Sequence, residues 1–126
     1  MCPVTLTRDQ VRRVDRRAID VYGFSGLVLM ENAGRGCADR LCQLGIGGPV
    51  VICCGKGNNA GDGFVIARHL DLRGHEVRVL VWAEPAELMG DAGVNFDLLR
   101  KCGVPIEIFP AEHDADRLAA QLRGAA

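Results

Sequence analysis

Net charge is almost absent from this sequence: 15 lysines and arginines stand against 16 acidic residues, leaving −1 at pH 7. That balance excludes the basic footprint of a nucleic-acid binder or of a protein held on an anionic membrane. The densest basic stretch, "TRDQVRRVDRR" at 7–17, holds five arginines, but Asp9, Gln10 and Asp15 interleave with them. It reads as the solvated face of a helix. No run of 18 apolar residues occurs, which excludes a helical membrane span. The opening "MCPVTLTRDQ" lacks the apolar h-region of a secretory signal. Histidines number three. His69 and His75 flank the end of a predicted helix and His113 lies near the tail, so they read as helix-end partners or solvent-exposed side chains rather than catalytic bases. The six cysteines have no metal-ligand or redox spacing. Cys53 and Cys54 are adjacent on a strand and point to opposite faces, Cys37 and Cys42 sit in a helical stretch, and Cys102 lies near a helix end. Reduced, mostly buried thiols of a cytoplasmic protein are the expectation.

What is present is enough apolar material for one packed domain: 126 residues, 48% hydrophobic. "TRDQ" predicts a capping box in which Thr7 caps the first helix and Gln10 reaches back. An apolar stripe of Val11, Val14, Ala18, Val21 and Tyr22 follows at helical period and Gly23 ends it. Ser25 is placed to cap a second helix with Met30, Ala33, Cys37, Leu41 and Leu44 on one face, stopped at Gly45. The period then changes. "PVVICC" (49–54) reads as a parallel strand covered on both faces. A helix through "GFVIARHLDLR" is closed by Gly74, and "EVRVLVW" (76–82) is a second strand. A helix over 91–102, a strand over 105–109 and a helix over 114–123 complete the pattern. Two helices followed by alternating strands and helices predict a Rossmann-like α/β fold, three layers (α/β/α) around a parallel sheet, with its first three strands in this sequence.

Between the first strand and its helix lies "CCGKGNNAGDGF" (53–64), four glycines and two asparagines in twelve positions. It opens at the carboxyl edge of the sheet, where open α/β folds bind ligands, and its glycines offer bare amides at a helix N-terminus. A Walker A loop is excluded, because Lys56 precedes Gly57 and no Ser or Thr follows to hold magnesium. Gly55, Gly57 and Ala60 match the letters of a dinucleotide fingerprint, with Glu84 at the end of the second strand. That fingerprint does not call for Asn58, Asn59 and Asp62, and a carboxylate in the first helical turn opposes a pyrophosphate there. A plain turn is the third reading, since Asn, Asp and Gly all favour turns. The fourth makes the side chains functional. Asparagine amides supply neutral oxygens to a monovalent cation and donors to a ligand, and Asp62, held ionised by the helix dipole, is suited to accept from ribose hydroxyls or to balance a cation. Lys56 within the loop is a candidate phosphate contact; Trp82 and Phe96 read as core or interface.

"GKGNNAGDGFVIARHL" behind "VVICC" resembles the YjeF N-terminal domain, the NAD(P)H-hydrate epimerase family. "LTRDQVRRVDRRAID" and "LVLMENAGRGCADRL" are similar to that family's first two helices, so the likeness runs from about Leu6 to Phe109. The resemblance implies interconversion of the R and S epimers of hydrated NADH and NADPH (NADHX and NADPHX), with an ATP- or ADP-dependent dehydratase consuming the S form. It implies that Asn58, Asn59, Ala60, Gly61 and Asp62 line the substrate, that Asn59 helps hold a potassium ion, and that Asn32 faces the same region. Ala60 stands where many relatives carry glycine, which is tolerated if φ there is negative.

The family pattern continues with an Asp–Gly-x-Gly strand and an Asp-x-Pro-Ser-Gly strand, which supply a second potassium ligand and the acidic residue assigned to the chemistry. Neither occurs here, so residues 1–126 are expected to be the front half of that domain and the acidic residue to lie beyond Ala126. In a 3-2-1-4-5 sheet this leaves the first strand with an open edge, and self-association is expected. An interaction or nucleotide-binding module that kept the front of the fold is the alternative to an epimerase.

Overall fold

The computed structural model describes residues 4–109 and 114–125; Cys2 and His113 lie outside the described residues. Helix α1 spans Arg8–Asp20 and begins as its sequence predicts: the Gln10 N–H donates to Thr7 Oγ1 at 3.3 Å, and the Thr7 N–H donates to Gln10 Oε1 at 2.7 Å. Its apolar stripe is not packed. Val11, Val14, Val21 and Tyr22 are 44–67% exposed and no residue of α1 is buried.

Helix α2, Gly26–Gln43, is capped by Ser25, whose Oγ accepts from the Val28 N–H. Its buried face differs from the expected one. Met30, Gly34 and Ala38 are buried, while Ala33, Cys37 and Leu44 are exposed. The reason is a close helix crossing. A Cβ on Gly34 would lie 2.4 Å from Val65 Cγ1, so α2 approaches the next helix backbone-first, through small residues. A search for large apolar residues at helical spacing does not register a face made of glycine and alanine.

Strands β1 (Val50–Cys54), β2 (Val77–Val81) and β3 (Ile106–Ile108) form a parallel sheet in the order β1-β2-β3, with Val50 opposite Val77 and Val79 opposite Ile106. Helices α3 (Asn58–Leu72) and α4 (Gly90–Lys101) connect them, with a single 3-10 turn at Pro85–Glu87 that the sequence did not signal. One sheet face carries Cys54, Val79 and Val81 into a core closed by Phe64, Leu70, Phe96 and Leu99. The Phe64 and Phe96 rings meet at 5.5 Å. The other face is covered by α5 (Ala115–Leu122), where Arg117 Nε donates to Glu107 Oε1 at 2.6 Å and Arg78 to Gln121 at 3.3 Å. These are the three layers of the expected fold.

The expectation that β1 is covered on both faces fails. Cys54 is buried against α3, but Cys53, pointing the other way, is exposed, because α5 lies over β2 and β3. Cys37 and Cys102 are exposed as well, so among the described residues the thiols are not mostly buried.

His69 is neither a bare helix-end partner nor solvent-exposed. Its side chain is 14% exposed and its Nε2 sits 2.6 Å from Glu31 Oε1, while Arg68 donates to the other Glu31 oxygen, joining α3 to α2. His75 Nε2 lies 3.5 Å from Cys42 Sγ. Burial works to raise the Glu31 carboxyl, but the hydrogen bonds and charges of Arg68 and His69 outweigh it and hold the group below its ordinary value of 4.5. The folded state therefore gives up this proton more readily than the unfolded one. The stability it contributes is present above 4.5 and lost as pH falls through the folded value. Glu31→Gln is expected to cost about 1 kcal/mol at pH 7, given the partial exposure of the pair. In urea titrations the gap between wild type and variant should close as the pH is lowered past 4.5.

Candidate functional site

Much of the glycine-rich stretch is helix. The loop proper is Gly55–Lys56–Gly57, and α3 begins at Asn58, five residues earlier than "GFVIARHLDLR" suggests. Gly57 makes this possible: with φ of 99° it occupies backbone space that glycine adopts freely and L-residues do not. It turns the chain directly from β1 into the helix at the carboxyl edge of the sheet. No side chain caps this helix start. The first amides of α3 are therefore left to a ligand or solvent.

Asn58 and Asn59 are the first two residues of α3 and both are exposed. Asp62 follows four and three residues later, so the two carboxamides and the carboxylate share one helix face. Among the described residues no hydrogen bond ties up either carboxamide. Ala60 and Gly61 lie elsewhere: both are buried, and their N–H groups donate back to the Gly57 carbonyl at 3.1 and 3.4 Å. Their smallness has a packing cause, since a Cβ on Gly61 would sit 2.5 Å from Met30 Sδ and 3.1 Å from Ala92 Cα. Ala60 has negative φ, the condition under which alanine replaces glycine without strain.

Asp62 differs from its sequence expectation in one respect. It lies in the second turn of α3, beyond the reach of the helix dipole, and burial pushes its carboxyl above the ordinary 3.8. A half-buried carboxyl whose proton is bound more tightly than usual is suited to hydrogen-bonding a ligand hydroxyl.

Lys56 projects from the loop and pairs with Glu87 at 3.2 Å, both ends exposed. Asn32 is exposed on α2. It lines a groove of about 280 Å3 between α2 and α4 with Leu27, Val28, Val94 and Leu98. Phe96 is core, as expected, at 4% exposure. Trp82 is only partly buried: it stacks on Phe109 with centroids 4.8 Å apart and borders a cavity of about 180 Å3 with Lys56, Ala83, Glu84 and Glu87. The sequence signal for this placement is parity. Trp82 is one residue past β2 on the face of Arg78 and Leu80, away from the main core.

The donor set suits a monovalent cation better than a transition metal. Neutral carboxamide oxygens of Asn58 and Asn59 are hard ligands, and among the described residues no three His, Cys, Asp or Glu side chains cluster. No helix among the described residues is long and apolar enough to cross a membrane.

The profile of a family described as YjeF-related protein N-terminus matches residues 26–122. The NAD(P)H-hydrate epimerase of Rhodopirellula baltica is 44% identical over 115 residues, which is 91% of this chain and 47% of the relative. That of Pirellula staleyi is 50% identical over 99 residues, 79% of this chain and 44% of the relative. The bifunctional NAD(P)H-hydrate repair enzyme Nnr of Salinibacter ruber is 46% identical over 106 residues, 80% of this chain and 19% of the relative. The crystal structure of yeast ynu0 superposes with a TM-score of 0.72 at 27% identity, covering 84% of this chain and 47% of that one. The chain thus spans about half the length of the curated epimerases it matches. Matched by the profile over most of its length and carrying the glycine–asparagine turn at the carboxyl edge of β1, the chain belongs to the YjeF-related protein N-terminus family.

Proposed function

We propose that this chain works in the epimerisation of hydrated NADH and NADPH, interconverting the R and S forms of NADHX and NADPHX. The observation that carries this reading is the uncapped start of α3, with Asn58, Asn59 and Asp62 on one face at the end of β1, in a chain 44% identical to a relative named as that enzyme. The free amides of the first turn and the two carboxamides hydrogen-bond phosphate and ribose oxygens. Asp62 accepts from a substrate hydroxyl. Ala60 and Gly61 shape the floor beneath them, keeping α2 close enough for Met30 to seal the helix start.

A potassium ion, when bound, supplies a fixed positive charge beside the substrate, and the Asn59 carboxamide oxygen is the ligand this chain contributes to it. A repair setting is supported by relatives named bifunctional NAD(P)H-hydrate repair enzymes. An ATP- or ADP-dependent dehydratase is the partner that consumes the S epimer. The reading also includes a cytoplasmic protein that associates with its own copies.

The test is to mix the 126-residue chain with R-NADPHX and follow the S form with an S-specific dehydratase. Conversion faster than the spontaneous rate is the expected result. A folded chain that leaves the rate unchanged would overturn catalysis by this chain and favour a binding module.

A further inference from the structure

We propose that Trp82 is the stacking surface for a purine base, so that the adenosine end of the nucleotide lies over the ends of β2 and β3 while the other end occupies the α3 turn. This rests on the nucleotide reading of the loop and extends it to a part of the molecule that the loop motif does not include.

The argument begins with an anomaly of packing. The chain has one tryptophan, and it lies at the carboxyl edge of the sheet, only partly buried. Its stacking partner is fully fixed: Phe109 is 2% exposed, its N–H donates to the Val81 carbonyl at 2.8 Å, and the Arg117 guanidinium lies over its ring at 4.2 Å. Arg117 and Trp82 thus both lie against the Phe109 ring, at 4.2 and 4.8 Å from its centroid. An indole held on one face by a rigid ring is a preorganised platform for a second planar group.

Position supports the same ligand. The Trp82 backbone N–H donates to the Cys54 carbonyl at 2.8 Å, so the indole stems from the strand end next to the Gly55–Gly57 loop. The cavity it borders, about 180 Å3, is also lined by Lys56 of that loop. A molecule whose phosphates meet the α3 amides thus passes Lys56 on its way to Trp82. Glu84 and Glu87 line the cavity too, with Ala83 and Phe109, and their carboxylates accept from hydroxyls of a ribose placed between base and phosphate.

Because Trp82 is the sole tryptophan, its emission reports this subsite directly. The experiment titrates the chain with AMP and, separately, with nicotinamide mononucleotide, reading fluorescence and calorimetry together. AMP should quench Trp82 saturably, and nicotinamide mononucleotide should bind without that quenching. Trp82→Ala should weaken AMP roughly 5- to 150-fold, the range for loss of one base–aromatic stack, and Trp82→Phe should retain most of the affinity. Nicotinamide mononucleotide should bind both variants as it binds the wild type, which also checks that they fold. AMP affinity unchanged in Trp82→Ala, or AMP binding without quenching, overturns the stacking role. Binding of nicotinamide mononucleotide with none of AMP removes the subsite and leaves the loop reading intact; binding of neither removes both.

Discussion

Asp62→Asn is expected to lower kcat/KM for NADPHX epimerisation by about 10- to 100-fold, the size of a lost hydrogen bond to a charged group. The same change should make the chain more stable. Burial raises the Asp62 carboxyl above 3.8, so the folded state holds this proton more tightly than the unfolded state does. The contribution to stability is then full below 3.8 and is lost as pH rises through the folded value. At pH 7 the ionised side chain therefore works against the fold, and the neutral amide removes that cost. Opposite signs in one variant, activity down and denaturation midpoint up, are the mark of a residue kept for its chemistry. Activity and stability falling together would instead make Asp62 a packing residue.

Phe64→Ala should cost about 3–5 kcal/mol. Its ring has no exposed surface and meets Phe96 at 5.5 Å between α3 and α4, in the centre of the core. Typical domain stability is about 5–15 kcal/mol, so the variant spends a large part of it. Phe64 stands two residues beyond Asp62 on the same helix, which means the core and the candidate site share one rigid element. Urea denaturation followed by tryptophan emission measures the loss, and Phe64→Leu, retaining most of the volume, should recover a good part of it.

The parts of this molecule that were legible in its sequence are those written in side chains of large or special character. Thr7 and Gln10 announce α1, β-branched runs announce β1 and β2, and the glycine–asparagine cluster marks the carboxyl-edge turn. Less legible were features made by proximity. The α2–α3 crossing depends on Gly34 and Ala38, residues that carry no hydrophobic signal of their own. The early start of α3 depends on Gly57 φ, which lets a helix begin inside what reads as a loop. The Glu31–His69 pair joins residues 38 apart in sequence. The depth of Asp62, set by α2 lying over α3, is likewise a property of packing, and so is its effect on the carboxyl.

Helix α1 has a consequence for how the molecule will melt. A 13-residue helix with a good cap and no buried side chain draws little free energy from the rest of the fold. It forms its own low-stability unit, distinct from the cooperative block built on Phe64 and the sheet. Hydrogen exchange should separate the two, with α1 amides exchanging first. Far-ultraviolet ellipticity should begin to fall on heating while Trp82 emission holds steady, because the only tryptophan belongs to the other block. A single transition temperature would then describe the sheet and its helices, and the amino-terminal helix would follow a gentler curve of its own.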